Sequence, residues 1–210
     1  MLLQDIENAV EKQQLAIFGG LSRNTPDGIG TMVLLGPREP GFWGHFTASP
    51  EYADGAADPL DRWSERVIGD LAKALNAQDF FPFGGPPWQP FLQWALESGR
   101  AHVSPVGLLV HDAAGLMVSY RGALGFRERI ELPAAPASPC ITCEKRPCLT
   151  ACPVDAFSPD GYDVSACKTD LDRPKNDCLS MGCAVRRACP VSQSHGRRPE
   201  QSAFHMRAFK

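Results

Sequence analysis

Cys140-Ile141-Thr142-Cys143-Glu144-Lys145-Arg146-Pro147-Cys148-Leu149-Thr150-Ala151-Cys152-Pro153 is the stretch that divides this chain into two kinds of sequence. Its four cysteines are spaced by two, four and three residues, and a proline follows the last. A looser copy comes after it: Cys167, Cys178, Cys183 and Cys189, with ten, four and five residues between them, again closed by a proline, Pro190. These are all 8 cysteines of the 210 residues, and the first 139 residues have none. A secreted disulfide scaffold spreads its bridges through a short, loop-rich chain. A long cysteine-free part followed by a thiol-dense one points instead to metal in a reducing compartment.

A four-iron cubane takes four thiolate ligands, and closely spaced cysteines in a tight loop reach three of its corners. The fourth must come from elsewhere in the chain. A cysteine followed by proline suits a ligand at a helix edge, because proline turns the chain and brings no competing donor. The pattern therefore implies two [4Fe-4S] clusters on Cys140, Cys143, Cys148, Cys152, Cys167, Cys178, Cys183 and Cys189. Two four-cysteine zinc sites use the same number of thiols, and Cys140-x2-Cys143 is a common zinc knuckle. Zinc ribbons, however, pair two such knuckles and lack the Cys-Pro endings. Disulfides are the third reading, at odds with the compartment. Lys145, Arg146, Arg186 and Arg187 lie close to the thiols in sequence. Cations beside an anionic cluster stabilise its reduced form and raise its potential; the bland alternative is four solvated surface charges.

Outward from the cysteines, Leu132-Pro133-Ala134-Ala135-Pro136-Ala137-Ser138-Pro139 reads as an extended, semi-rigid linker. The expected organisation is an α/β domain over 1–132, a Pro/Ala linker over 133–139 and an iron–sulfur domain over 140–210 ending in a tail. Residues 1–139 carry 10 Lys and Arg against 16 Asp and Glu, whereas residues 140–210 carry 11 against 8. The net charge of -3 exerts no general pull toward nucleic acid or an anionic membrane. Met1-Leu2-Leu3 runs at once into Gln4, Asp5, Glu7 and Asn8, so no signal core is read there. Apolar runs such as Met32–Leu35 and Val106–Val110 are too short to span a bilayer. A cytoplasmic protein without a membrane segment is expected.

The front part reads as one α/β layer structure. Leu3, Ile6, Val10 and Gln13 fall at helical spacing, followed by an apolar run, Leu15–Phe18, that stops at Gly19-Gly20. Thr31–Leu35 predicts a buried strand ended by Gly36-Pro37, and Gly28-Ile29-Gly30 a turn before it. Asp58 and Pro59 predict an acid-capped helix start, with Leu60, Trp63, Val67, Leu71 and Leu75 on one face. A proline-rich loop over 81–88 precedes a helix from about Pro90 to Glu97, closed by Gly99. Val106–His111 and Leu116–Tyr120 predict two strands joined by a turn at Asp112-Ala113-Ala114-Gly115. Residues 201–209 suit a short amphipathic helix.

The cysteine spacing resembles that of bacterial two-cluster ferredoxins, in which the Cys-Pro cysteine of each set ligates the other set's cluster. Carried over by position, this implies one cluster on Cys140, Cys143, Cys148 and Cys189, and the other on Cys152, Cys167, Cys178 and Cys183. The wider gaps here depart from that pattern. A broader resemblance covers roughly residues 90–190. Gly107-Leu108-Leu109-Val110-His111, Gly115-Leu116, Tyr120-Arg121-Gly122-Ala123-Leu124, Leu132-Pro133 and Cys140-x2-Cys143 are similar to the approach to the ferredoxin module of epoxyqueuosine reductase. That family and the reductive dehalogenases imply a nitroreductase-like or cobalamin-processing-like front domain, a ferredoxin-like C-terminal domain and electron transfer from cluster to cobalamin. They also imply an oxidoreductase fed by a redox partner protein such as a flavodoxin or a ferredoxin–reductase system. Where the family carries an acidic proton donor, this chain has Phe83-Gly84-Gly85-Pro86-Pro87-Trp88. That departure argues against queuosine chemistry and leaves a carrier that docks a separate enzyme, or a corrinoid-binding chaperone, as alternatives. For a bound cofactor, Gly84 and Gly85 allow close backbone approach and Trp88 offers a face. Tyr120 and Arg121 offer a hydroxyl and a cation. Packing is the competing reading for each. Of His45, His102, His111, His195 and His205, His111 is the nearest candidate for a lower cobalt ligand, though none has metal-ligand spacing.

Overall fold

Leu3–Glu11 forms helix α1 because its apolar residues recur at helical spacing, and it buries Ile6 and Val10. The computed structural model describes residues 2–158 and 161–210. The chain divides into two units: Met1–Arg100 with Ser119–Pro136, and Ala101–Val118 with Ala137–Lys210. Both are of mixed helix and strand, with small antiparallel sheets.

In the first unit, β1 (Leu15–Leu21) and β2 (Thr31–Pro37) follow α1. Next come the helices α2 (Phe42–Thr47), α3 (Pro50–Ala53) and α4 (Pro59–Leu75), then β3 (Gln78–Phe80) and α5 (Phe91–Glu97). Strands β4 (Ala101–Val103) and β5 (Leu109–His111) belong to the second unit, and β6 (Gly122–Phe126) returns to the first. The sheet runs β1-β2-β6-β3, antiparallel throughout, with Thr31 opposite Phe126 and Leu35 opposite Gly122. Every residue of β2 is buried, which is why its apolar residues run together without alternating.

The glycine pair at 19–20 does not end β1. The strand passes through it with a register shift between Ile17 and Gly20. A Cβ on Gly19, whose φ is +142°, would lie 2.5 Å from Ser98 Oγ. The expected strand over 116–120 is absent; the chain pairs one step later, as β6. Gly122 and Gly125 hid that strand from a composition-based reading, yet both are required by packing. A Cβ at Gly122 would lie 2.7 Å from Ile68 Cδ1, and one at Gly125 2.8 Å from Phe80 Cε2.

Helix α4 covers the sheet with Leu60, Trp63, Val67, Ile68 and Leu71. It closes at Asn76, whose left-handed backbone (φ 52°) lets its N–H return to the Ala72 and Lys73 carbonyls. Its N-terminus corrects the expectation. Asp58 is itself left-handed, and its carboxylate makes no capping hydrogen bond. The Trp63 ring meets Phe42 edge-on at 5.3 Å and Phe46 at 6.1 Å, so α2 and α4 share an aromatic core.

The second unit begins with the β4–β5 hairpin, in register from Ala101↔His111 to Val103↔Leu109. The expected strand over 106–111 shortens to β5 because Gly107 (φ +74°) turns the chain. A 3-10 turn (Pro147–Leu149) and the two-residue strands β7 (Phe157–Ser158) and β8 (Gly161–Tyr162) follow. The helices α6 (Val164–Asp170), α7 (Cys178–Met181), α8 (Ala184–Ala188), α9 (Pro190–Ser194) and α10 (Pro199–Phe209) complete the unit. Residues 101–118 differ from the expected 1–132 division because Val110 and Leu116 pack into one core with Cys148, Val185 and Cys189. The expected C-terminal helix is present as α10, which packs on α7. A Cβ on Gly182 would lie 2.5 Å from Ser202 Cβ, so that approach needs glycine. Among the described residues no helix is long and apolar enough to cross a membrane.

Candidate metal centre

The eight cysteines, all unpaired, line two cavities. Cys140, Cys143 and Cys148 share the first with Cys189, in a volume of about 350 Å³. Cys167, Cys178 and Cys183 share the second with Cys152, in about 20 Å³. The cysteine that closes each sequence set thus lines the cavity of the other set. The second cavity has room for roughly one water, so a larger group there requires its four side chains to swing apart. Among the described residues no group of three or more His, Cys, Asp or Glu is arranged for a single metal ion.

Chain breaks position these thiols. Cys189 is extended (φ -66°, ψ 123°) between α8 and α9, and Pro190 opens α9, as a Cys-Pro at a helix edge requires. Cys152-Pro153 differs: Pro153 enters a turn in which Asp155 N–H donates to the Cys152 carbonyl at 3.4 Å. Ala156 N–H donates to the Cys152 sulfur at 3.3 Å. Gly115, with φ +57°, lies against Cys189. A Cβ there would stand 3.0 Å from the Cys189 sulfur and 2.5 Å from Ser192 N, so the sulfur occupies a cradle that any side chain would fill.

Burial raises the pKa of Cys140, Cys148, Cys167 and Cys178, and neighbouring thiols add to the rise. Those neighbours respect the two cavities: Cys148 is influenced by Cys140, Cys143 and Cys189, and Cys167 by Cys183 and Cys152. Such sets favour the protonated form until a cation shares their charge.

The four nearby cations separate into two kinds. Lys145 and Arg146 are exposed and line the first cavity. Arg186 is not the solvated surface charge of the bland reading. Its guanidinium donates to the Leu116 carbonyl, burial lowers its pKa, and the Cys183 thiol opposes that shift. Arg187 is committed to the Gly182 carbonyl at 2.9 Å and to Asp177 at 2.6 Å.

Sequence reasoning missed three further groups. Tyr162 lies beside Cys167, and burial and then the neighbouring thiol raise its pKa. Its ring stacks on Phe157 at 4.4 Å. Met206 of α10 lines the second cavity, which gives the tail a place in the site. Ser104, in the turn between β4 and β5, lines the first. None of these has a spacing signal; only the fold brings them to the thiols.

The residues considered for a second cofactor are not brought together on one surface. Trp88 is 67% exposed and folds back over Gly85, where a Cβ would lie 2.7 Å from its ring, while Gly84 is exposed. Tyr120 is in the core, edge-on to Phe18 at 6.3 Å. The Arg121 side chain is 12% exposed and pairs with Asp61 at 3.3 Å. His111 is fully buried, and its Nδ1 accepts from the Ala113 and Ala114 N–H groups at 3.1 and 3.3 Å. It holds the 112–115 turn that presents Gly115 to Cys189.

No protein-family model, curated protein or solved structure matches this chain.

Proposed function

We propose that the chain is an iron–sulfur electron-transfer protein carrying two [4Fe-4S] clusters. One is held by Cys140, Cys143, Cys148 and Cys189, the other by Cys152, Cys167, Cys178 and Cys183. The observation that carries this reading is the partition of eight unpaired thiols into two sets of four, each completed by the other set's Cys-Pro cysteine. The Gly115 cradle at Cys189 and the half-buried Arg186 beside Cys183 also fit an anionic, thiolate-ligated group.

Each cluster, when bound, stores and releases one electron. The chain's own residues hold eight sulfurs, exclude water and supply positive charge. Val110, Leu116 and Val191 line the first cavity with apolar surface, and Val154, Phe157 and Val185 the second. Arg186 favours added negative charge near Cys183. Lys145 and Arg146, beside the exposed Ile141 and Leu149, suit an acidic protein donor such as a flavodoxin or a ferredoxin–reductase system. One electron passes from that reduced partner to an acceptor, either a cofactor or substrate held by the first unit or a separate enzyme. A ferredoxin-like second unit, a nitroreductase-like first unit, a corrinoid acceptor and a cytoplasmic setting belong to the same proposal, resting on the cysteine pattern and the resemblance.

Anaerobic purification with iron and sulfide analysis tests it. Brown protein with iron and sulfide sufficient for two cubanes, bleached by dithionite, is the expected result. Colourless, zinc-loaded protein would overturn it. Added cobalamin, followed by its absorption spectrum with and without cluster reduction, separates a corrinoid acceptor from a plain carrier.

A further inference from the structure

We propose that the Ser104 hydroxyl donates a hydrogen bond to a sulfur of the cluster at Cys140, Cys143, Cys148 and Cys189, and raises the potential of that cluster alone. This rests on the two-cluster reading. Ser104 is 5% exposed, and its Oγ has no hydrogen-bond partner among the described residues, yet it lines the same cavity as the four thiols. A buried hydroxyl left unpaired is unfavourable, so its position asks for an acceptor in that cavity.

The backbone explains why the hydroxyl stays there. Ser104 N–H donates to the Leu108 carbonyl at 2.9 Å, and its carbonyl accepts from Gly107 N–H at 2.9 Å. Both main-chain groups are spent on the turn, leaving the hydroxyl as the residue's remaining polar group. The other buried hydroxyl nearby, Ser192, lies at the Gly115 cradle and is not among the residues lining the cavity. At the second set the Tyr162 hydroxyl lies beside Cys167. Hydrogen bonds to cluster sulfurs raise the reduction potential.

The test is an EPR-monitored redox titration of anaerobically prepared full-length wild type, Ser104→Ala, Ser104→Thr and Ser104→Cys, with iron content measured on each. The expected result for Ser104→Ala is a fall in one midpoint, with the other unmoved. The size is roughly tenfold in the one-electron equilibrium, or ~59 mV. Ser104→Thr, which keeps the hydroxyl, retains the wild-type value, and Ser104→Cys, a weaker donor of similar shape, falls between. A purely structural role would alter cluster occupancy without this ordering. Equal midpoints in fully loaded wild type and Ser104→Ala overturn the inference and leave the two-cluster reading standing. If Ser104→Ala does not fold, equal midpoints in Ser104→Cys and wild type overturn it. Wild type without iron overturns both.

Discussion

At the scale of single residues, the pairing of Glu51 with Arg66 carries part of the pH dependence. The Arg66 guanidinium bonds both oxygens of Glu51, one at 3.0 Å, and holds its carboxyl down at about 2. The folded pKa lies below the unfolded one, so the stabilisation is complete above pH 4.5 and lost as pH falls toward 2. Arg66 is half exposed, which limits the pair to about 1 kcal/mol. Glu51→Gln should therefore lower stability at neutral pH by about that amount and flatten the acid limb between pH 4.5 and 2, as read by urea unfolding across that range. An acid limb as steep as the wild type's would rule the pairing out as its cause. His195 adds in the same direction. Burial and then Arg197 push it down to about 4, so acidification must charge a group the folded state keeps neutral.

Among the elements, α4 buries seven residues, Trp63 the largest of them. Trp63 is 1% exposed and meets the rings of Phe42 and Phe46. Trp63→Ala leaves a cavity against α2 and should cost roughly 3–5 kcal/mol, measured by denaturant midpoint at unchanged slope. A loss below about 1 kcal/mol would mean that α2 collapses onto the gap. Helix α4 was legible in sequence because its apolar residues recur every three or four positions over 17 residues. Strand β6 was not. Two of its five residues are glycines, chosen by the atoms of Ile68 and Phe80 above them rather than by strand propensity. The Asp58 cap failed for a related reason: the residue identity suits a cap, but the chain enters α4 through a left-handed turn that carries the carboxylate away.

For the molecule as a whole, the crossed lining of the two cavities, under the two-cluster proposal, makes a prediction that no single cavity would. Cys189→Ser should remove the cluster of Cys140, Cys143 and Cys148, although it lies 41 residues beyond the last of them in sequence. Cys152→Ser should remove the other. EPR of the reduced variants reads which signal survives, and loss of the same signal in both would refute the exchange.

The presence and number of thiols, their clustering after residue 139 and the principal amphipathic helices were determined by the sequence alone, because they depend on residue type and short periodicities. The tertiary structure decided which cavity each cysteine lines and that residues 101–118 join the cysteine-bearing unit. It also brought Ser104, Gly115 and Met206 to the sulfurs. These are contacts between residues far apart in the chain. Their partners are selected by packing and burial in three dimensions, which leave no periodic trace along one.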